Sequence, residues 1–365
     1  MDDDLTTSPT DSPAGSLADS LADSLAPLRQ LAREGELRLP EPAGGATWQR
    51  WQSLAAWARR DVAAARIIEA HVDACSILAA LGHEAPAGLL GVWAAESVDC
   101  AVVAARVAGG WELDGVKRWC SGASFVDAAL ITAHAHDGRR LFLVRRETST
   151  PSDHRPPGAA SSGPSYQSAP YEPIDGTWTA VGMDRTDSRD VVLHRIHVSD
   201  DAAVGEPGGY LGRPGFWHGA AGVAACWYGG AVGVADALTT RARARPDPHT
   251  LAHLGAVTSA LRSARAVLES TAHAYDNDPK DADHCAERLA LTARSVVERV
   301  ATEVIDRVGR ATGAQPLGHD AAHARRVHDL LVYLRQSHAE QDLARLGELV
   351  LAGGDEDSTG LERRT

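Results

Sequence analysis

The chain has 365 residues, 44% of them hydrophobic and 23% charged, with a net charge of −13. That length can bury a sizeable core spread over two or three domains, and the composition is ordinary for a globular protein. The acidic balance argues against a general nucleic-acid binder, though not against a local basic pocket for an anionic substrate, and no apolar run approaches the roughly 18 residues that a membrane span needs.

The N-terminal MDDDLTTSPTDSPAG has neither a basic n-region nor an apolar h-region, so it does not read as a signal peptide, and a cytoplasmic location is expected. The five cysteines, Cys75, Cys100, Cys120, Cys226 and Cys285, are widely spaced and odd in number. Without a CxxC or Cys/His cluster they read as free thiols, and no metal site is expected. Residues 1–20 are rich in Ser, Asp, Thr and Pro and read as a disordered tail, and 353–365 reads as a C-terminal tail. A helical domain follows over 21–88. Leu21, Leu25, Leu28 and Leu31 recur at helical spacing. Thr47 is placed to N-cap a helix carrying Trp51, Leu54 and Ala58, and a second helix runs from Val62 to Leu81 and stops at Gly82. Arg66, Glu69, His71 and Asp73 on that helix read as a solvated face.

From 89 to 210 the pattern changes to short strands. Leu89–Glu96 and Ala101–Val107 are strands, and Asp114-Gly115 and Asp137-Gly138 are hairpin dipeptides. Residues 147–176 form a long Ser/Pro/Gly-rich insertion, expected to be mobile, after which 178–183 resumes as strand. From 211 to 352 four long helices are predicted: 220–244, 251–274, 281–312 and 321–351. Gly229, Gly230 and Gly233 imply close helix–helix approach.

The most informative stretch is GGWELDGVKRWCSGASFVDAALITA at 109–133. It resembles the middle β-domain of acyl-CoA dehydrogenases, and GMDRTDSRDVVLHRIHV at 182–198 resembles the same family's last β-strands. The order of a short helical N-terminal domain, an antiparallel β-domain and a C-terminal four-helix bundle matches that family's α+β architecture over 21–351. The resemblance implies FAD as cofactor, an acyl-CoA or related acyl thioester as substrate, a separate electron acceptor, and a homodimer or homotetramer assembled through the bundle. It puts Trp119 and Ser121 against the flavin, Glu96 near it, and Arg243 or Arg245 on the flavin diphosphate of a neighbouring subunit. Arg185, Thr186 and Ser188 would face the substrate entrance.

The family's Tyr-Glu pair falls on Tyr333-Leu334, and its alternative base position falls near Val223; neither leucine nor valine can take a proton. His338 and Glu340 are the nearby candidates, since a histidine can act as a base near neutral pH. Three readings follow from the resemblance: α,β-desaturation of an acyl thioester; oxygen activation by a flavin monooxygenase of the same fold, in which a His on the last helices acts; or a non-catalytic member.

Overall fold

The computed structural model describes residues 27–97, 101–146 and 170–352. The expected tails, most of the 147–176 insertion and residues 98–100 with Cys100 lie outside these residues. The architecture is α+β: N-terminal helices, a central sheet and a C-terminal helix bundle.

Helix α1 (residues 27–33) is followed by α2 (Thr47–Arg60) and α3 (Val62–Ala80). Ala46 rather than Thr47 occupies the N-cap of α2 and offers no side-chain bond. The cap comes instead from Asp276, far along the chain, which accepts from Gly45 N (2.9 Å), Thr47 N (3.0 Å) and the Thr47 hydroxyl (2.6 Å). A tertiary carboxylate thus satisfies the orphan donors that a local Ser or Thr would otherwise cover. Asp61 separates α2 from α3 and caps the latter by accepting from Ala64 N at 3.0 Å.

The sheet holds β1 (Leu90–Trp93), β2 (Val102–Val107), β3 (Gly110–Cys120), β4 (Ala128–Ala135), β5 (Gly138–Arg145), β6 (Glu172–Ile174), β7 (Arg189–Ser199) and β8 (Ala203–Val204). The strand order is β6-β7-β3-β2-β4-β5-β8, and β1 also pairs with β4. Most pairings are antiparallel, but β1 and β2 both run parallel to β4, so the sheet is mixed.

Asp137-Gly138 closes the β4–β5 hairpin as its sequence predicts, with Ala135 opposite Gly138. Asp114-Gly115 does not make a turn. β3 runs through it with a register shift against β7, and the chain reverses at Ala108-Gly109 instead. Gly115 is required there because its φ is +132° and an added Cβ would lie 2.2 Å from the Ala101 carbonyl oxygen. Residues 178–183 are irregular rather than strand, with Gly182 set directly against the backbone carbonyl of His328.

The bundle is built from α4 (Gly209–Gly212), α5 (Gly215–Ala244), α6 (Pro248–Asn277), α7 (Ala286–Thr312), α8 (Gln315–His319), α9 (Ala321–Tyr333) and α10 (Glu340–Ala352). Helix α5 packs against α2, α3, α6, α7 and α9. By length and composition it could cross a membrane, yet 72% of its apolar window is buried inside the fold. Its glycines face neighbours in the same chain. A Cβ on Gly229 would lie 2.2 Å from the Ala55 carbonyl oxygen of α2, and one on Gly233 would lie 2.6 Å from that of Arg59. The close approach read from the sequence is therefore used within the subunit. The fourth predicted helix is broken: α9 ends in a 3-10 turn over Leu334–Gln336, and Ala339 takes a left-handed φ of +47° before α10 begins.

Candidate active site

The sheet, α3 and α9 meet at a tight turn around Asp184–Thr186. It is bounded by two non-glycine residues in left-handed conformation, Met183 (φ +60°) and Asp187 (φ +47°). Such backbone persists only where its surroundings fix it, and it concentrates at functional sites. Here Met183 N donates to Asp329 of α9 at 2.6 Å. Asp187 accepts from Ser124 N (2.7 Å) and from the Arg189 Nε (2.6 Å). The turn pairs with the segment after β3 through Gly122 N to Thr186 O at 2.8 Å.

This arrangement brings together three of the residues expected from the sequence. The Ser121 and Ser188 hydroxyls are 3.0 Å apart, Ser188 and Thr186 are 2.8 Å apart, and Thr186 donates onward to the Met183 carbonyl at 2.6 Å. All three are buried. Trp93 Nε1 donates to the Ser121 carbonyl at 3.0 Å, which fixes that end of the row. Arg185 pairs with Asp61 at 2.6 Å and lies 4.0 Å from Asp329, tying α3 and α9 to the turn. Asp61 is thereby held below the ordinary carboxylate range by Arg185 and backbone donors, against the opposing effect of burial.

Trp119 sits beside this turn in an unusual state. Two-residue alternation along an extended strand would place Trp119 and Ser121 on one face, with Cys120 turned away. Cys120 is fully buried, as that reading requires. Trp119, however, has φ +57°, lies at a register shift between β3 and β7, and is 54% exposed as a residue while Ser121 is only 8% exposed. Its N–H donates to Asp190 at 3.3 Å. A large aromatic displayed on left-handed backbone costs both strain and exposed apolar area, which suits a platform for a flat ligand.

Glu96 is engaged elsewhere. It receives Lys117 at 2.9 Å, Arg139 at 2.7 Å, His134 at 2.9 Å and the Thr132 hydroxyl at 3.0 Å. Burial alone would raise its pKa, but hydrogen bonds from Lys117 and His134 bring it down to about 2. This hub neutralises Lys117, which is 2% exposed inside the sheet. Arg243 and Arg245 lie exposed at the C-terminal end of α5. Glu340 is exposed in the first turn of α10. His338 is exposed as well, and Asp342 holds it, accepting from His338 N at 3.1 Å with Nδ1 at 3.3 Å. The linker carrying His338 is anchored by buried Arg294, which donates to Ala220 O (2.9 Å) and Gln336 O (2.8 Å).

The polar residues of α3 depart from the sequence reading. Glu69 and His71 are buried rather than solvated. Glu69 meets Arg66 at 2.6 Å and the Tyr333 hydroxyl at 3.4 Å. Burial disfavours the charge of Arg66, but the Glu69 carboxylate outweighs it and raises its pKa. Leu334, at the position where a family base would stand, is fully buried. Sequence reasoning also missed Asp61, whose signal was a carboxylate one residue ahead of a helical pattern. A cleft of about 260 Å³ lies between α2, α5 and α6, lined by Trp48, Trp51, Tyr228 and Arg265 among others, and none of the candidate site residues borders it.

No family model matches the chain. Dibenzothiophene monooxygenase of Rhodococcus erythropolis is 28% identical over an alignment of 218 residues covering 53% of this chain and 49% of that protein, so the chain spans about half the length of this curated relative. Among solved structures, KijD3 in complex with FMN and a dTDP-linked amino sugar superposes with a TM-score of 0.69 at 19% identity, covering 97% of this chain and 98% of the other. TdsC, a dibenzothiophene monooxygenase of Paenibacillus sp. A11-2, seen with FMN and indole, gives a TM-score of 0.69 at 17% identity, covering 94% and 98%. At these identities the superpositions establish the α+β, acyl-CoA dehydrogenase-like fold.

They also correct the sequence expectation. The similar proteins are described as monooxygenases or as FMN complexes, so the assignments to acyl-CoA dehydrogenases, to FAD and to an acyl-CoA or other acyl thioester substrate are withdrawn. The physical reasons lie in the chain. Leu334 and Val223 leave both usual base positions apolar, and Glu96 is fully occupied by its cationic partners. FMN has one phosphate and no adenosine half, so the diphosphate that Arg243 or Arg245 was expected to reach is not part of it.

Proposed function

We propose that this chain is a flavin-dependent monooxygenase that uses FMN and acts on a small aromatic or heteroatom-containing compound. The observation that carries the reading is Trp119: an exposed residue on left-handed backbone, two residues along the chain from Ser121, whose hydroxyl opens the buried row Ser121–Ser188–Thr186. A flat ring with one polar edge fits such a surface, the ring on the indole and the edge towards the hydroxyls. The monooxygenase and FMN-bound relatives support it.

When bound, reduced flavin supplies the two electrons with which one oxygen atom of O₂ enters the substrate and the other leaves as water. The chain's own part is to bind, orient and handle protons. Trp119 covers a ring face, Arg185 holds the turn to α3 and α9 through Asp61 and Asp329, and Arg294 and Asp342 hold the His338 linker. With Nδ1 turned to Asp342, His338 keeps Nε2 as the nitrogen able to accept or give a proton. Glu340 stands in the adjoining helical turn as the second candidate.

The test is to titrate the purified protein with FMN and FAD, then measure oxygen uptake with a flavin reductase, NADH and a panel of thioethers, sulfinates and indoles. Tighter binding of FMN and substrate-dependent oxygen uptake with a mass gain of one oxygen are expected. Bleaching of the flavin by acyl-CoA without oxygen, and no oxygenated product, would refute the reading.

A further inference from the structure

The turn at Asp184–Thr186, flanked by left-handed Met183 and Asp187, is held from the helical bundle, and the holding group is a carboxylate that no flavin-facing role requires. We propose that Asp329 of α9 is a positioning residue that fixes this turn and so sets the geometry of the Thr186 and Ser188 hydroxyls at the flavin edge. The inference rests on the functional reading above for the identity of the ligand, but not for the contact itself.

Four observations converge on it. Asp329 is 1% exposed and accepts from Met183 N at 2.6 Å, across 146 residues of sequence. Met183 has φ +60°, a conformation that a methionine does not keep without an external hold. Beside it, Gly182 lies so close to α9 that an added Cβ would be 2.1 Å from the His328 carbonyl oxygen. Finally, the other Asp329 oxygen faces Arg185 at 4.0 Å, and Arg185 bonds Asp61 at the N-terminus of α3 at 2.6 Å. The turn is therefore clamped between α9 and α3. Thr186 and Ser188 follow within five residues of Met183, and Thr186 bonds the Met183 carbonyl itself, so a shift at Met183 reaches the hydroxyl row directly. A buried carboxylate costs folding free energy unless its bonds are complete, which explains why the pairing with Met183 N is short and charge-assisted.

The experiment compares full-length wild type with Asp329→Ala, Asp329→Asn and a control, Asp276→Ala, whose carboxylate caps α2 elsewhere in the molecule. FMN affinity is read by fluorescence titration, the bound flavin by visible circular dichroism, and the turn by amide hydrogen exchange at Met183 and Thr186. Asp329→Ala is expected to weaken FMN binding about tenfold, the scale of one charge-assisted hydrogen bond, to alter the visible dichroism, and to speed exchange at both amides. Asp329→Asn keeps an acceptor oxygen and should recover part of the affinity, which also covers the case in which the alanine variant fails to fold. Asp276→Ala should lower the melting temperature and leave FMN affinity unchanged. Unchanged affinity in both Asp329 variants, or equal loss in the Asp276 control, overturns the proposal. Wild type that binds no FMN refutes the functional reading alone; unchanged exchange at Met183 in Asp329→Ala then refutes the positioning role independently.

Discussion

At the scale of single residues, two side chains carry opposite lessons. His71 looked like part of a solvated face but is 4% exposed, with Nδ1 accepting from Leu90 N at 3.2 Å. Burial lowers its pKa to about 4. The unfolded chain therefore takes up a proton near the ordinary value of about 6.5 while the folded chain resists until pH 4, so stability falls as pH drops through that window. The loss between pH 7.5 and pH 5 should be on the order of 2 kcal/mol from this residue. Urea titrations at the two pH values should show a shallower decline in His71→Gln than in wild type; equal declines would contradict the assignment. Trp119 is the reverse case. Its φ of +57° suits glycine, and half of its surface is already exposed. Trp119→Gly should therefore leave stability unchanged or raise it by up to about 1 kcal/mol, while weakening FMN binding by roughly 1–3 kcal/mol. Cys120→Ala, one residue along and fully buried, should do the opposite: a stability cost of about 1 kcal/mol with flavin affinity kept. A Trp119→Gly protein that unfolds early and still holds FMN would mean that the indole serves the fold.

At the scale of elements, what the sequence revealed and what it hid follow from how local each signal is. The helices of the bundle were legible because periodic apolar positions and stop signals are short-range; α7 buries Ala290, Val297, Val300, Ala301, Val304 and Val308 as its spacing implies, and ends at Gly313 with φ +70°. Ser121 was read as a flavin residue and Thr186 and Ser188 as substrate-entrance residues; that the three hydroxyls meet in one hydrogen-bonded row was not legible, because they lie on two stretches more than sixty residues apart. Three features could not be read locally. Asp276 caps α2 from 229 residues away, Asp329 holds Met183, and Asp114-Gly115 forms a bulge because β3 continues against β7 on its far side. In each case a distant backbone group decides what a strong local signal leaves open. The α2–α5 seam shows the energetic side. Because a Cβ on Gly229 would sit 2.2 Å from the Ala55 carbonyl oxygen, Gly229→Ala should cost at least about 1–3 kcal/mol through forced separation of the two helices. Gly255→Ala, where an added Cβ meets nothing within 4 Å in a neighbouring helix, should instead gain a few tenths to about 1 kcal/mol from helix propensity. Thermal melts of the pair separate the two effects.

At the scale of the whole molecule, the proposed ligand would bridge separate parts of the fold: Trp119 near the end of β3 with Ser121 just after it, Arg185 on a turn clamped to α3 and α9, and, by proposal, His338 on the linker between α9 and α10. A ligand that bridges these parts couples its binding to global stability. A ligand that binds only the folded chain stabilises it by RT ln(1 + [L]/Kd), about 2.7 kcal/mol at a hundredfold excess over Kd. For a chain of this size that corresponds to a rise in melting temperature of roughly 2–4 °C or somewhat more per few kcal/mol. FMN at saturating concentration should therefore raise the melting temperature by a few degrees. Riboflavin, which lacks the phosphate, should do less, and acyl-CoA should do nothing. The same FMN-induced shift should shrink in Trp119→Gly and persist in Asp276→Ala, because only the first removes a surface proposed to meet the ring. The order of these shifts, measured by calorimetry on one preparation, tests the site at the level of the fold. A larger rise with acyl-CoA than with FMN, or an FMN shift untouched by Trp119→Gly, would show that the ligand sits elsewhere than at the meeting of sheet, turn and bundle.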